Sequence, residues 1–111
     1  MSLRIRKSDL FIADFDRQFC WYDQEAGWEV ACGYLDATDA SLEKLAGLPD
    51  LGSITHFVEP ELQGLRFLPV NRPFNTHLIF YRADSTTIEA WRIVHGARDL
   101  PRRLLEPPGT E

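Results

Sequence analysis

Charged side chains that could bind a partner or a phosphate cluster near the end of the chain. An apolar run ends at Gly96, and four charged residues follow it: Arg98, Asp99, Arg102 and Arg103. The arginine side chain presents a planar fork of donors that suits carboxylates, phosphates and protein surfaces. The cluster therefore indicates either a binding surface or an ordinary solvated face.

The remaining residues offer little conventional catalytic chemistry. The three histidines, His56, His77 and His95, do not have the spacing of a metal motif. No serine or cysteine lies in a nucleophile-elbow context, and no glycine-rich phosphate loop is present. The sequence thus predicts no catalytic residue, no metal and no cofactor.

Two strand patterns position the charged cluster. Residues 77–82 and residues 87–95 are rich in β-branched and aromatic side chains, and the short polar segment 83–85 between them is typical of a hairpin. The second run is apolar on both faces, which favours a strand inside the sheet, and Trp91 in its middle is predicted to belong to the core. Residues 65–70 indicate one more strand.

The first half of the chain predicts a short strand and two helices. Residues 3–6 alternate apolar and basic side chains, and Ser8 or Asp9 is a suitable N-cap for a helix that follows. One apolar stripe at three- and four-residue spacing marks the first helix: Phe11, Ile12, Phe15, Phe19 and Tyr22. A second stripe starts at Trp28 and ends before Gly47. Because the link is short, the two helices should form an antiparallel hairpin.

Size and charge complete the predicted class. The 111 residues are expected to form one α+β domain, residues 1–111, with residues 106–111 as a disordered tail. The predicted order is a short N-terminal strand, an antiparallel helical hairpin and a three-stranded antiparallel sheet.

Residues 1–63 hold five Lys/Arg and twelve Asp/Glu, whereas residues 64–111 hold seven Arg and five Asp/Glu. The net charge of −5 argues against a protein dedicated to nucleic acid, so no sequence-specific nucleic-acid binding is expected.

The segment HLIFYR, a short turn and IEAWRIVHGARDLPRRL together closely resemble the C-terminal half of ParE toxins. ParE belongs to the ParE/RelE superfamily of bacterial toxin–antitoxin systems, which includes plasmid stabilisation proteins. The most specific piece is HGARD directly after a strand, and the helical hairpin that ends in LEKLAGLPDLG is also similar to the family.

The resemblance implies a cytoplasmic toxin that inhibits DNA gyrase by binding, without catalytic residues, and that a cognate ParD-like antitoxin neutralises. It implies no membrane association, and no apolar run is long enough to span a bilayer. The segment that meets the target would include Arg98, Asp99, Arg102 and Arg103. The antitoxin's amphipathic helix would lie on the helical hairpin, against Phe11, Phe15, Phe19, Trp28 and Leu35. Because the hairpin is acidic, the antitoxin is expected to contribute Arg or Lys there.

Two other functions stay open for a member of this superfamily. RelE-like relatives are ribosome-dependent mRNA endoribonucleases that use basic residues on the sheet, often with a C-terminal tyrosine. Here no tyrosine follows Tyr81, and His77 stands near the position of a strand arginine. The chain could also be an inactive member that serves only as an antitoxin-binding module.

Overall fold

The computed structural model describes residues 2–96 and 100–108. The strands and α-helices follow in the order β1 Arg4–Lys7, α1 Asp9–Ala26, α2 Trp28–Gly47, β2 Ser53–Ile54, β3 Arg66–Pro69, β4 His77–Ala83, β5 Thr87–His95 and α3 Leu100–Leu105. The five strands form one sheet in the order β1-β5-β4-β3-β2. The β1–β5 pair is parallel, and the other neighbouring pairs are antiparallel.

The predicted α+β fold is confirmed, with its N-terminal strand, its helical hairpin and the antiparallel run β3-β4-β5. The structure adds two features to it. The short strand β2 lies between α2 and β3, and β1 joins the sheet beside β5. Pairing partners that are distant in the chain, such as Ile5 and Ile88, leave no local pattern in the sequence.

Local chemistry fixes both ends of α1. The Ser8 hydroxyl accepts a hydrogen bond from the Phe11 backbone N–H at 3.0 Å, which caps the helix as predicted. The same hydroxyl donates to the Trp91 carbonyl at 2.6 Å and so attaches the cap to β5. Gly27 alone separates α1 from α2, and its φ of 96° is one that favours glycine.

The sheet carries one apolar cluster on each face. The hairpin of α1 and α2 covers the first face, where Phe11, Tyr34 and Leu42 pack against alternate residues of β4 and β5 such as Ile79 and Ile93. The second cluster consists of Leu62, Leu65, Phe80, Val94 and Leu104. The end of the chain therefore packs against the sheet face opposite the helical hairpin.

Trp91 lies at an irregular position in β5. The register between β4 and β5 shifts here, since Phe80 pairs with Arg92 whereas the next residue, Tyr81, pairs with Ala90. Trp91 lies between these two partners and is therefore the extra residue of a β-bulge. Its side chain is half-buried at the margin of the second cluster, with the Arg82 guanidinium 5.4 Å from the ring centre. The prediction that Trp91 belongs to the core holds in part, since its side chain packs against the second cluster but stays half-buried.

Within residues 2–96 and 100–108, no helix is both long and apolar enough to cross a membrane.

Candidate functional site

An apolar groove lies between α1 and α2. Its volume is about 210 Å³, and its apolar lining consists of Phe11, Ile12, Phe15 and Leu35. The charged residues at the groove are Lys7, Asp16 and Asp39, of which Lys7 and Asp39 form an ion pair at 3.7 Å. The groove therefore offers apolar contact area beside two carboxylates and one ammonium group.

A buried hydroxyl lines the groove without a hydrogen-bond partner among the described residues. Thr38 is 1% exposed and lines the groove, and its hydroxyl makes no hydrogen bond within the described part of the chain. A buried hydroxyl without a partner carries a desolvation penalty, which a donor or acceptor from outside would relieve. Ile12, by contrast, is 43% exposed and forms an accessible part of the wall.

The structure brings together three of the five residues predicted to bind an antitoxin. Phe11, Phe15 and Leu35 all line the groove, although Phe11 is also fully buried against the sheet. Phe19 and Trp28 meet edge to face at the end of the hairpin, with ring centres 5.6 Å apart, and Trp28 is 63% exposed. A helical stripe in a sequence does not reveal which of its members face the sheet and which remain accessible.

Two of the four residues predicted to meet the target, Arg102 and Arg103, lie on α3 within the described structure. Arg102 is exposed on α3 and pairs with Glu106 one turn later at 2.6 Å. The Arg103 guanidinium donates to the backbone carbonyl of His95. Arg98 and Asp99 lie outside the described residues.

A second, polar cavity was not predicted from the sequence. It has a volume of about 90 Å³ and lies between α1, the ends of β4 and β5, and α3. Its lining comes from all these elements and from α2: Asp14, Arg17, Gln18, Tyr34, His77, Arg92, Ile93, Val94, His95, Arg103 and Pro107. Because these residues are scattered along the chain, no motif marks the cavity.

A buried ion pair forms one wall of this cavity. The Arg92 guanidinium donates to both carboxylate oxygens of Asp14, with Nε–Oδ2 at 2.7 Å and Nη2–Oδ1 at 2.9 Å. Asp14 also accepts the backbone N–H of Ile93. Nη1 of Arg92 donates to the carbonyls of Leu104 at 2.9 Å and Glu106 at 2.7 Å. Arg92 thereby connects α1, β5 and the end of α3.

The cavity also contains a buried histidine. His77 is 1% exposed, its Nε2 is 2.8 Å from the Tyr22 hydroxyl, and its ring lies 5.0 Å from that of His95. Burial, with a smaller contribution from His95, lowers the pKa of His77 to about 4. The ring is therefore neutral at pH 7, so Nε2 can accept a hydrogen bond from the Tyr22 hydroxyl.

The pKa of Tyr34 is shifted in the opposite direction to that of His77. It is fully buried next to His77, and burial raises the pKa of its hydroxyl, with further contributions from Tyr22 and Asp14. The hydroxyl therefore keeps its proton at neutral pH. It has no hydrogen-bond partner among the described residues.

The depressed pKa of His77 predicts a stability that falls in mild acid. An unfolded histidine takes up a proton near pH 6.5, whereas folded His77 resists protonation down to about pH 4. Its contribution is thus fully present above about pH 6.5 and is lost as the pH falls towards 4, by about 2 kcal/mol. Urea denaturation at about pH 7 and about pH 4.5 measures this loss. The His77→Gln variant should lose less stability between these two pH values than the unaltered protein, and the exposed control His56→Gln should lose as much as the unaltered protein. Equal losses of stability in all three proteins would show that His77 is not the cause.

No group of three or more His, Cys, Asp or Glu side chains in residues 2–96 and 100–108 is arranged to hold a metal ion.

Comparison with known proteins gives the family. The model of the ParE toxin of type II toxin–antitoxin systems, parDE, matches residues 5–100, which include the hairpin groove and all five strands except Arg4. Comparison with curated protein sequences gives no match. Among solved structures, the fold is similar to a chain of the chromosomal ParDE TA system from P. aeruginosa, with a TM-score of 0.68 and 19% identity, covering 86% of this chain and 98% of that one. The chain belongs to the family of ParE toxins of type II toxin–antitoxin systems.

Proposed function

We propose that this protein is an active toxin that inhibits DNA gyrase by binding it, and that a ParD-like antitoxin neutralises it. The observation that favours binding over cleavage is the burial of His77 and Tyr34 at the polar cavity. The pKa of His77 is lowered to about 4 and that of Tyr34 is raised. A general acid or base works best with a pKa near the operating pH, so neither side chain is suited to proton transfer at neutral pH.

The groove between α1 and α2 is the proposed antitoxin site. Its apolar lining suits the apolar face of an amphipathic helix, and the helix-in-groove mode is a common form of peptide recognition. A polar side chain of that helix would reach the unpartnered hydroxyl of Thr38. The carboxylates of Asp16 and Asp39 favour a helix that carries Arg or Lys at its margins.

The charged segment after β5 is the proposed target-binding surface, with Arg98, Asp99, Arg102 and Arg103 as its members. Arg102 is exposed, as a contact residue must be. The contact between Arg92 and the carbonyls of Leu104 and Glu106 holds the end of this segment against the sheet. A segment held in this way loses little conformational freedom on binding, which favours affinity.

Induction of the protein in a bacterial host tests whether it is an active toxin. We expect viable counts to fall after induction and to be restored when the antitoxin is produced in the same cells. A matched culture that produces the Arg98→Ala, Arg102→Ala, Arg103→Ala variant should keep its viability, provided that the variant accumulates to the same level. Full viability with the unaltered protein would contradict the proposal and favour an inactive, antitoxin-binding member of the family.

A further inference from the structure

We propose that Thr38 makes the groove between α1 and α2 selective among antitoxins, because its hydroxyl requires one uncharged hydrogen-bonding side chain within the apolar face of the bound helix. A helix that is apolar at the facing position binds more weakly. The inference rests on the proposed antitoxin site, and it adds the residue that selects the partner and the chemistry that this residue selects.

Two buried hydroxyls on α2 differ in their hydrogen bonding. Ser41 is 0% exposed, and its hydroxyl donates to the Ala37 carbonyl one turn earlier at 2.7 Å and accepts the Asn71 backbone N–H at 3.0 Å. The Tyr34 carbonyl stands in the same relation to Thr38, yet the Thr38 hydroxyl has no hydrogen-bond partner in the described part of the chain. Thr38 therefore carries the desolvation penalty of an unpaired polar group, which its neighbour on the same helix avoids.

Thr38 lies where a bound helix would meet it. It lines the groove together with four apolar side chains, Phe11, Ile12, Phe15 and Leu35. A threonine in a helix adopts either of two χ1 rotamers, so a change of rotamer is enough to turn the hydroxyl towards the groove. Because the residue is only 1% exposed in the free protein, a side chain of the bound helix is the partner that relieves the penalty.

The surroundings of this hydroxyl select an uncharged partner. A hydroxyl both donates and accepts, so a serine, threonine, asparagine or glutamine side chain satisfies it. An ionised side chain would lose its hydration beside the apolar lining, which costs more than one hydrogen bond returns. The ion pair of Lys7 and Asp39 is accessible, with side chains 41% and 54% exposed. Charged residues of the helix therefore belong at that margin and an uncharged polar residue opposite Thr38.

Urea denaturation of Thr38→Val tests whether the hydroxyl is unpaired in the free protein. The substitution keeps the shape of the side chain and removes no hydrogen bond among the described residues, so the denaturation midpoint should equal or exceed that of the unaltered protein. Ser41→Ala removes two hydrogen bonds from the same helix and should lower the midpoint. A midpoint for Thr38→Val as low as that for Ser41→Ala would overturn the inference.

Calorimetric titration with a purified ParD-like antitoxin tests the selectivity. We expect the antitoxin to bind Thr38→Val about tenfold or more weakly than it binds the unaltered toxin. Each uncharged polar residue of the antitoxin helix is then replaced in turn by leucine. One of these antitoxin variants should bind the unaltered toxin about tenfold more weakly, yet bind Thr38→Val more tightly than it binds the unaltered toxin. The control Thr76→Val makes the same exchange at an exposed threonine that does not line the groove, and it should leave the affinity unchanged.

The Ile12→Lys variant in the same titration separates this inference from the proposed antitoxin site. If the antitoxin does not bind, or binds Ile12→Lys as tightly as the unaltered toxin, the proposed site and the inference both fail. If Ile12→Lys weakens binding and Thr38→Val does not, the site stands and the inference fails. Additive effects of Thr38→Val and every antitoxin substitution would also overturn the inference, because no hydrogen bond would then join Thr38 to the helix.

Discussion

Replacement of Arg92 by alanine should destabilise the protein by about 3–5 kcal/mol. The side chain is 3% exposed and its partner Asp14 is 8% exposed, so the substitution leaves a buried carboxylate with the Ile93 N–H as its one remaining donor among the described residues. It also removes the donors to the carbonyls of Leu104 and Glu106. A loss of this size is a large share of the 5–15 kcal/mol that holds a typical domain folded. Urea denaturation followed by tryptophan fluorescence would measure it.

Two further variants show whether burial is the cause. Arg6→Ala breaks an exposed pair with Glu89, in which the Arg6 side chain is 74% exposed, and should cost less than about 1 kcal/mol. The double variant Arg92→Met, Asp14→Leu removes both charges and should recover part of the stability that Arg92→Ala loses, because no unpaired charge remains buried. A cost below about 1 kcal/mol for Arg92→Ala would show that the pair does not hold α1, β5 and α3 together.

Replacement of Ile12 by lysine should weaken antitoxin binding by about 100-fold, or about 2.7 kcal/mol. Ile12 contributes to the wall of the apolar groove and is 43% exposed, so the substitution changes the interface without opening the core. A lysine there places a charge against the apolar face of the bound helix and repels its basic margins. Asp16, one turn later, can pair with the new ammonium group and support α1. Calorimetric titration with the purified antitoxin gives the affinity.

The matched control for this experiment is Val58→Lys. Val58 is 88% exposed in the loop between β2 and β3, away from the residues that line the groove. This variant carries the same change in charge and should bind the antitoxin as the unaltered protein does. Equal affinities of the Ile12→Lys and unaltered proteins would place the antitoxin helix on another surface.

Local patterns in the sequence predicted the elements better than their arrangement. The helical hairpin and the β4–β5 hairpin were predicted because each depends on periodicity and turns within a short segment. The parallel pairing of Ile5 with Ile88 was not, since it joins the two ends of the chain. The bulge at Trp91 shifts the alternation of β5, and no local pattern in the sequence marks it.

The candidate sites show the same limit. Phe11, Phe15 and Leu35 were predicted as part of one surface because the resemblance to ParE toxins implies an antitoxin helix on the helical hairpin, and the structure brings these three together. The polar cavity escaped prediction because five different elements and Pro107 supply its lining. One signal for it was present: Arg92 is a charged residue in an otherwise apolar strand centre, and such a residue requires a buried partner. The sequence could not identify Asp14 as that partner, 78 residues away.

The central claim, that this family member poisons gyrase and does not cleave RNA, is tested most directly with the purified protein and two substrates. One assay follows gyrase as it supercoils relaxed plasmid, and the other follows messenger RNA on translating ribosomes. We expect supercoiling to be inhibited, or cleaved DNA to be trapped, while the messenger RNA stays intact. The Arg98→Ala, Arg102→Ala, Arg103→Ala variant should lose this inhibition. Cleavage of the messenger RNA with supercoiling unaffected would contradict the account and identify a ribosome-dependent nuclease.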